Sequence, residues 1–196
     1  MKYLSLSILF LLLLTSCGEE PVYAPKPRSF PIVIYPERSY QDFTEGYCPF
    51  QFEHPNYLKV EQDTTFFEER PVDECWFDLV ASNFDARIHF TYYPMKNADR
   101  LEKLKNDAFN LVNKHVQKAN YIDEFPIQKP DGTIGFLFKM DGPAANLLSF
   151  YLTDSSQHYV RGALYFRTQV RPDSLAPVID FVEQDIMKVI ETFQWK

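Results

Sequence analysis

The chain has 196 residues, of which 45% are hydrophobic, 16% aromatic and 24% charged. Twenty Lys+Arg stand against 27 Asp+Glu, a formal charge of -7. These figures fit one globular domain, on a prior of roughly 100–200 residues per domain. They exclude wholesale disorder and a basic nucleic-acid surface, and three cysteines are too few for a disulfide-built miniprotein or a four-thiolate zinc module.

Lys2 gives a positive start, and residues 4–14 (LSLSILFLLLL) form an apolar run of eleven. As a helix that run spans about 16 Å against a hydrocarbon core of ~30 Å, so it reads as a secretory signal rather than a membrane span. It ends Leu14-Thr15-Ser16-Cys17, which resembles the lipobox of bacterial lipoproteins. A small residue before the cysteine admits the peptidase, and the thiol accepts a diacylglyceryl group. Residues 1–16 are therefore expected to be removed and Cys17 to carry lipid. The mature chain of 180 residues loses only Lys2 from the charge count, leaving 19 basic against 27 acidic side chains, or -8. Two or three acyl chains anchor firmly where one alone binds marginally. The residue after Gly18 is Glu19, not Asp, so the common inner-membrane retention signal is absent. Outer membrane is expected, with its periplasmic and surface faces both open. Residues 17–29 carry Pro21, Pro25 and Pro27 without apolar periodicity and read as a tether, and the domain is expected to occupy residues 30–196.

In chain order, a short strand is expected at residues 32–35 between Pro31 and Pro36, then a loop or turn around Gly46. Strands follow at 50–53 and 57–60 around the turn His54-Pro55-Asn56, and at 76–80 and 87–92. In the last of these Ile88, Phe90 and Tyr92 share one side, and Arg87, His89 and Thr91 the other. Between residues 98 and 119, Leu101, Leu104, Ala108, Leu111, Val112, His115 and Ala119 recur at helical spacing, with Asn97 as N-cap. Strands at 122–128, 134–140, 146–153 and 159–168 precede a last helix capped by Ser174, with its stripe at Val178, Phe181, Val182, Ile186, Val189, Ile190 and Phe193. The short connections predict an α+β domain with a mainly antiparallel sheet, flanked by the mid-chain and C-terminal helices.

Several segments together resemble the gliding motility lipoprotein GldD family over nearly the whole chain. They are residues 25–28 (PKPR), 48–55 (CPFQFEHP), 75–78 (CWFD), 87–89 (RIH), 152–155 (LTDS), 158–166 (HYVRGALYF), 173–178 (DSLAPV) and 191–196 (ETFQWK). The order of elements is also similar, more loosely, to Mog1/PsbP-like α/β/α sandwiches. The family resemblance implies a lipid-anchored cell-envelope protein required for gliding and for the associated type IX secretion machinery, and it carries over no catalytic residue.

Once Cys17 is lipidated, Cys48 and Cys75 form an even pair in an oxidising compartment, so a disulfide is expected, with two buried thiols as the alternative. The histidines, His54, His89, His115 and His158, show no metal-binding spacing, and no nucleotide or calcium motif is present. Asp154, Ser155 and His158 have the residue types of a hydrolase triad but sit in one turn, where side chains bond nearby amides. Arg161 shares a strand face with Tyr159 and Tyr165, so it is expected to stack on a ring or to pair with a helix carboxylate, while Gly162 leaves room above the sheet. The expectation is a non-enzymatic protein without cofactor or metal that binds envelope partners, with Arg87, His89, His158 and Arg161 as candidate contacts. The alternative is a small-ligand or glycan-binding module.

Overall fold

A computed structural model describes residues 32–63, 71–95, 98–144, 146–167 and 172–196. Cys17, the signal and tether segments and the Asn97 cap lie outside the described residues. Among the described residues ten strands and two α-helices run in the order β1 (Tyr40–Phe43), β2 (Phe50–Pro55), β3 (Lys59–Gln62), β4 (Phe77–Ala81), β5 (Ala86–Pro94), α1 (Ala98–Asn113), β6 (Tyr121–Gln128), β7 (Ile134–Asp141), β8 (Asn146–Thr153), β9 (His158–Phe166), α2 (Pro172–Thr192) and β10 (Gln194–Trp195). Seven strands form one sheet in the order β3-β4-β5-β9-β8-β7-β6, and β1-β2-β10 form a second. Every described pairing is antiparallel, as short connections require. The domain is α+β, with a mainly antiparallel sheet flanked by two helices.

Period-two alternation assigns the two faces of the large sheet. In register, Leu79 lies opposite Ile88, Phe77 opposite Phe90, and Val160 opposite Tyr92. On this face Phe77 stacks on Phe90 at 4.7 Å, Phe52 of β2 lies 5.5 Å from Phe90, and Phe43 of β1 lies 4.6 Å from Phe77. The small sheet is thus joined to the large one by a phenylalanine stack. The stripe of α2 covers the same face, with Val178, Val182, Ile186, Val189 and Ile190 buried, and Lys139 of β7 bonds Glu183 of the helix. The opposite face receives α1, whose Phe109 packs edge-on against Phe136 and Phe138 of β7. Strands β4 and β5 extend this second face with polar side chains.

Five expectations are corrected. Residues 32–35 form no strand; Ile32 and Ile34 stay exposed, so no sheet face is buried by their alternation, and Tyr35 packs on Phe181 of α2. The segment around 40–43, expected as loop, is β1. The hairpin partners β2 and β3 go to different sheets, since the turn at Asn56 hands the chain from one to the other. Ser174 lies inside α2 instead of capping it. Finally, α1 ends at Asn113 and continues as turns through residue 118, which places His115 in a turn.

Candidate functional site

The α2-distal face of β4 and β5 carries a charged constellation. Asp78 stands directly opposite His89 and diagonal to Arg87 in the antiparallel register, close enough for side chains to meet. Arg87 Nη1 donates to Asp78 Oδ2 at 2.5 Å, and His89 Nδ1 meets Asp78 Oδ1 at 2.5 Å. Asp78 is buried, so this carboxylate is offset by a cation and an oriented ring instead of by water. With its Nδ1 hydrogen on the carboxylate, the imidazole is fixed in tautomer and orientation. Trp76 closes one side, edge-on to His89 at 6.4 Å and to Tyr93 at 5.6 Å, and donates from Nε1 to the Tyr92 carbonyl. Arg87 keeps 30% of its side chain exposed and has donors beyond the one given to Asp78. The arrangement holds charge in place on rigid strands; it suits recognition.

Arg161 lies on the same face, one strand across, opposite Thr91. It lines a cleft of about 680 Å³ between α1 and the sheet, together with Tyr93, Tyr159, Leu104, Asp107 and Lys114. The expected ring stacking and helix ion pair are both absent among the described residues. Gly162 faces the other way, and its space is filled by the Phe150 ring of β8; a Cβ there would stand 2.4 Å from that ring. The gap above the glycine is core packing between neighbouring strands.

His158 does not join the group. It sits on the α2 side, where its Nδ1 meets the Tyr92 hydroxyl at 2.7 Å and its ring stacks on Trp195 at 5.2 Å. Burial, with the Asp73 and Asp154 carboxylates, pushes the Tyr92 phenol up to about 12. Asp154 Oδ1 accepts the backbone N–H groups of Ser156, Gln157 and His158, each at 2.9 Å. Burial alone raises this carboxyl, but those amides and the Ser156 hydroxyl outweigh it and leave the group lowered. The turn chemistry accounts for the would-be triad, since its acid bonds backbone and not the imidazole. Cys48 and Cys75 are bridged, their Cα atoms 5.1 Å apart, tying the turn before β2 to the entry of β4.

Two functional or organising carboxylates escape a linear reading. Asp78 is signalled only by alternation with Phe77 and Leu79. Asp185 is fully buried on α2, where it accepts from Arg38 Nε at 3.1 Å, from the Tyr40 hydroxyl at 3.2 Å and from the Tyr57 hydroxyl. Burial first, then Asp185 itself, raises the Tyr57 phenol. Among the described residues no group of three His, Cys, Asp or Glu is placed to hold a metal, and no helix is long and apolar enough to cross a membrane.

The sequence pattern of the family described as gliding motility lipoprotein GldD matches residues 20–195. No curated protein matches the chain. Among solved structures, the chain is similar to the solution structure of cyanobacterial PsbP (CyanoP) from Synechocystis sp. PCC 6803, at 11% identity and a TM-score of 0.49, over 82% of this chain and 95% of that one.

Proposed function

This chain belongs to the gliding motility lipoprotein GldD family, as a lipid-anchored envelope protein involved in gliding motility, and from that premise we propose that it works by docking other envelope proteins. Lipid on Cys17, at the end of the Leu14-Thr15-Ser16-Cys17 sequence, holds it to the outer membrane, and residues 17–29 tether the domain. The partners belong to the gliding and associated type IX secretion apparatus, and no chemistry is performed on them. One observation carries the reading: Asp78, Arg87 and His89 form a pre-oriented charged strip on the large sheet, partly open to solvent at Arg87. Side chains locked by packing and mutual bonds lose little freedom on binding, which favours recognition.

Crosslinking in intact envelopes, followed by copurification, tests the docking. Arg87→Lys, which keeps a cation beside the buried Asp78 but loses the guanidinium's remaining donors, should weaken capture of the wild-type crosslinked partners while the purified domain keeps its melting temperature within a few degrees. Identical crosslinks in the variant would sink the strip as the docking surface. Separately, Cys17→Ala should move the protein out of the membrane fraction and stop colony spreading. Unchanged fractionation with normal spreading would remove the anchor from the account.

A further inference from the structure

The cleft between α1 and β5–β9 has a chemistry distinct from the charged strip. Its volume of about 680 Å³ lies in the range of small-molecule sites, roughly 300–1,000 Å³. One wall is the α1 stripe Leu104, Ala108 and Leu111; the floor is the rings of Tyr93 and Tyr159 and the side chain of Arg161. Lys114 stands on the rim. The chain as a whole is acidic, yet two cations line this one cavity, and neither forms an ion pair or hydrogen bond among the described residues. The Tyr159 hydroxyl is committed to the Leu104 carbonyl at 3.2 Å. Arg161 is half-buried, so its guanidinium has given up part of its hydration without an internal replacement. Asp107 lines the same cavity but lies outside ion-pair reach of Arg161.

We propose that this cleft binds a small amphipathic carboxylate, its anionic end bonded by Arg161 and its apolar body held between the Leu104–Leu111 stripe and the rings of Tyr93 and Tyr159. A planar guanidinium matches a carboxylate with two parallel bonds. A dianionic phosphate fits less well, because Asp107 repels a second negative charge and the leucine stripe leaves no partner for a wholly polar ligand. Asp107 instead suits an N–H donor on the ligand, as in an acylated amino acid. The field is felt by neighbours: burial, then Arg161 and Lys118, holds His115 below the usual imidazole range. The inference stands apart from the docking reading, since the cleft shares no residue with the Asp78–Arg87–His89 strip.

The test uses the full-length protein in phosphatidylcholine nanodiscs, titrated with N-acetyl-L-phenylalanine and followed by saturation-transfer NMR. Saturable binding is expected, with the neutral N-acetyl-L-phenylalaninamide bound about tenfold more weakly or worse, the scale of one charge-assisted bond. Arg161→Gln should weaken the acid by a similar factor and leave the amide unchanged, and Arg161→Lys should fall between. If the Gln variant loses its fold, the acid–amide difference on the wild type and the Lys variant still decide. Equal affinity for acid and amide, acid binding undiminished in Arg161→Gln, or no saturable binding into the millimolar range overturns the proposal. A peptide ending in a free phenylalanine carboxylate assigns the source: binding tenfold tighter than the small acid points to a chain terminus, and weaker binding to a free metabolite-sized acid.

Discussion

At Asp185 one buried carboxylate gathers three donors: Arg38 from the segment before β1, Tyr40 at the start of β1, and Tyr57 between β2 and β3. Arg38 reaches it while bonding the Phe181 carbonyl at 2.8 Å and lying over the Phe181 ring at 4.0 Å. Removing one member of such a group leaves the others desolvated without partners, so Asp185→Ala should cost about 3 kcal/mol, read as a lower urea midpoint at unchanged m. Tyr57→Phe, which deletes a single hydroxyl, should cost about 1 kcal/mol. Equal losses for the two would mean the carboxylate has no special place. Protonation adds a second residue-scale prediction. Burial lowers the His54 imidazole despite its bond to the Pro55 carbonyl, and His115 is lowered too. A group depressed in the folded state adds stability that is complete above its unfolded value, about 6.5 for histidine, and fades as pH falls from there toward the folded value. Asp154, also depressed, acts in the same direction in a separate window below about 4. Urea midpoints should therefore fall in two stages on acidification from pH 7, and His54→Gln should flatten the upper stage. Of these residues only Asp154 was legible in advance, from its turn; Asp78 and Asp185 acquire meaning from partners that lie across a strand pair or 147 residues away.

Two glycines and one lysine decide how the elements meet. At Gly135 of β7 a Cβ would stand 1.9 Å from the Tyr151 carbonyl oxygen of β8, and backbone cannot yield as a side chain can. Gly162 presses instead on the Phe150 ring, which can rotate. Gly135→Ala should therefore destabilise more than Gly162→Ala, which should cost about 1–3 kcal/mol and be relieved by Phe150→Leu in a double-mutant cycle. If Phe150→Leu brings no relief, the ring contact is not the cause. Lys129 sits just after β6 and delivers its ammonium to the end of α2, bonding the carbonyls of Ile190 at 3.1 Å and Glu191 at 2.9 Å, and that of Phe193. It satisfies carbonyls the helix leaves open and opposes their negative end. Lys129→Met should lower the melting temperature by several degrees, on a cost of about 1–2 kcal/mol. Alternation made β5, β8 and β9 legible because each buries all or nearly all of one face. The segment at 32–35 shows the same apolar spacing, but the pull of Phe181 and Phe84 on Tyr35 turns it into a strap over α2. The pair of residues in β10 is too short for any periodicity.

For the whole molecule, the α+β class and its antiparallel sheet follow from short connections, whereas the division into two sheets does not. That division depends on Phe43, Phe50 and Phe52 meeting Phe77, contacts between segments with no local signature. The Cys48–Cys75 bridge spans the same junction. Closing a loop of 27 residues is worth about 3.5 kcal/mol in the chain-entropy model. Mass measurement under non-reducing conditions should find the mature protein two hydrogens lighter than its reduced form. Replacing both cysteines by alanine should lower stability by roughly that 3.5 kcal/mol; full stability without the bridge would show that the phenylalanine stack alone joins the sheets.

The pairing of β10 with β2 also sets a clock. Gln51 bonds Gln194 across 143 residues, and Trp195 lies opposite Phe50. A chain made from its N-terminus forward has β1 and β2 early, yet their sheet gains its third strand only when the final residues arrive. Until then the rings of Phe50 and Phe52 lack Phe193 and Trp195, and the ladder edge of β2 is open to any other extended segment. Residues 193–196 act as a completion signal written into the fold, and a chain stopped at residue 192 should be long enough for both described helices and still fail to close.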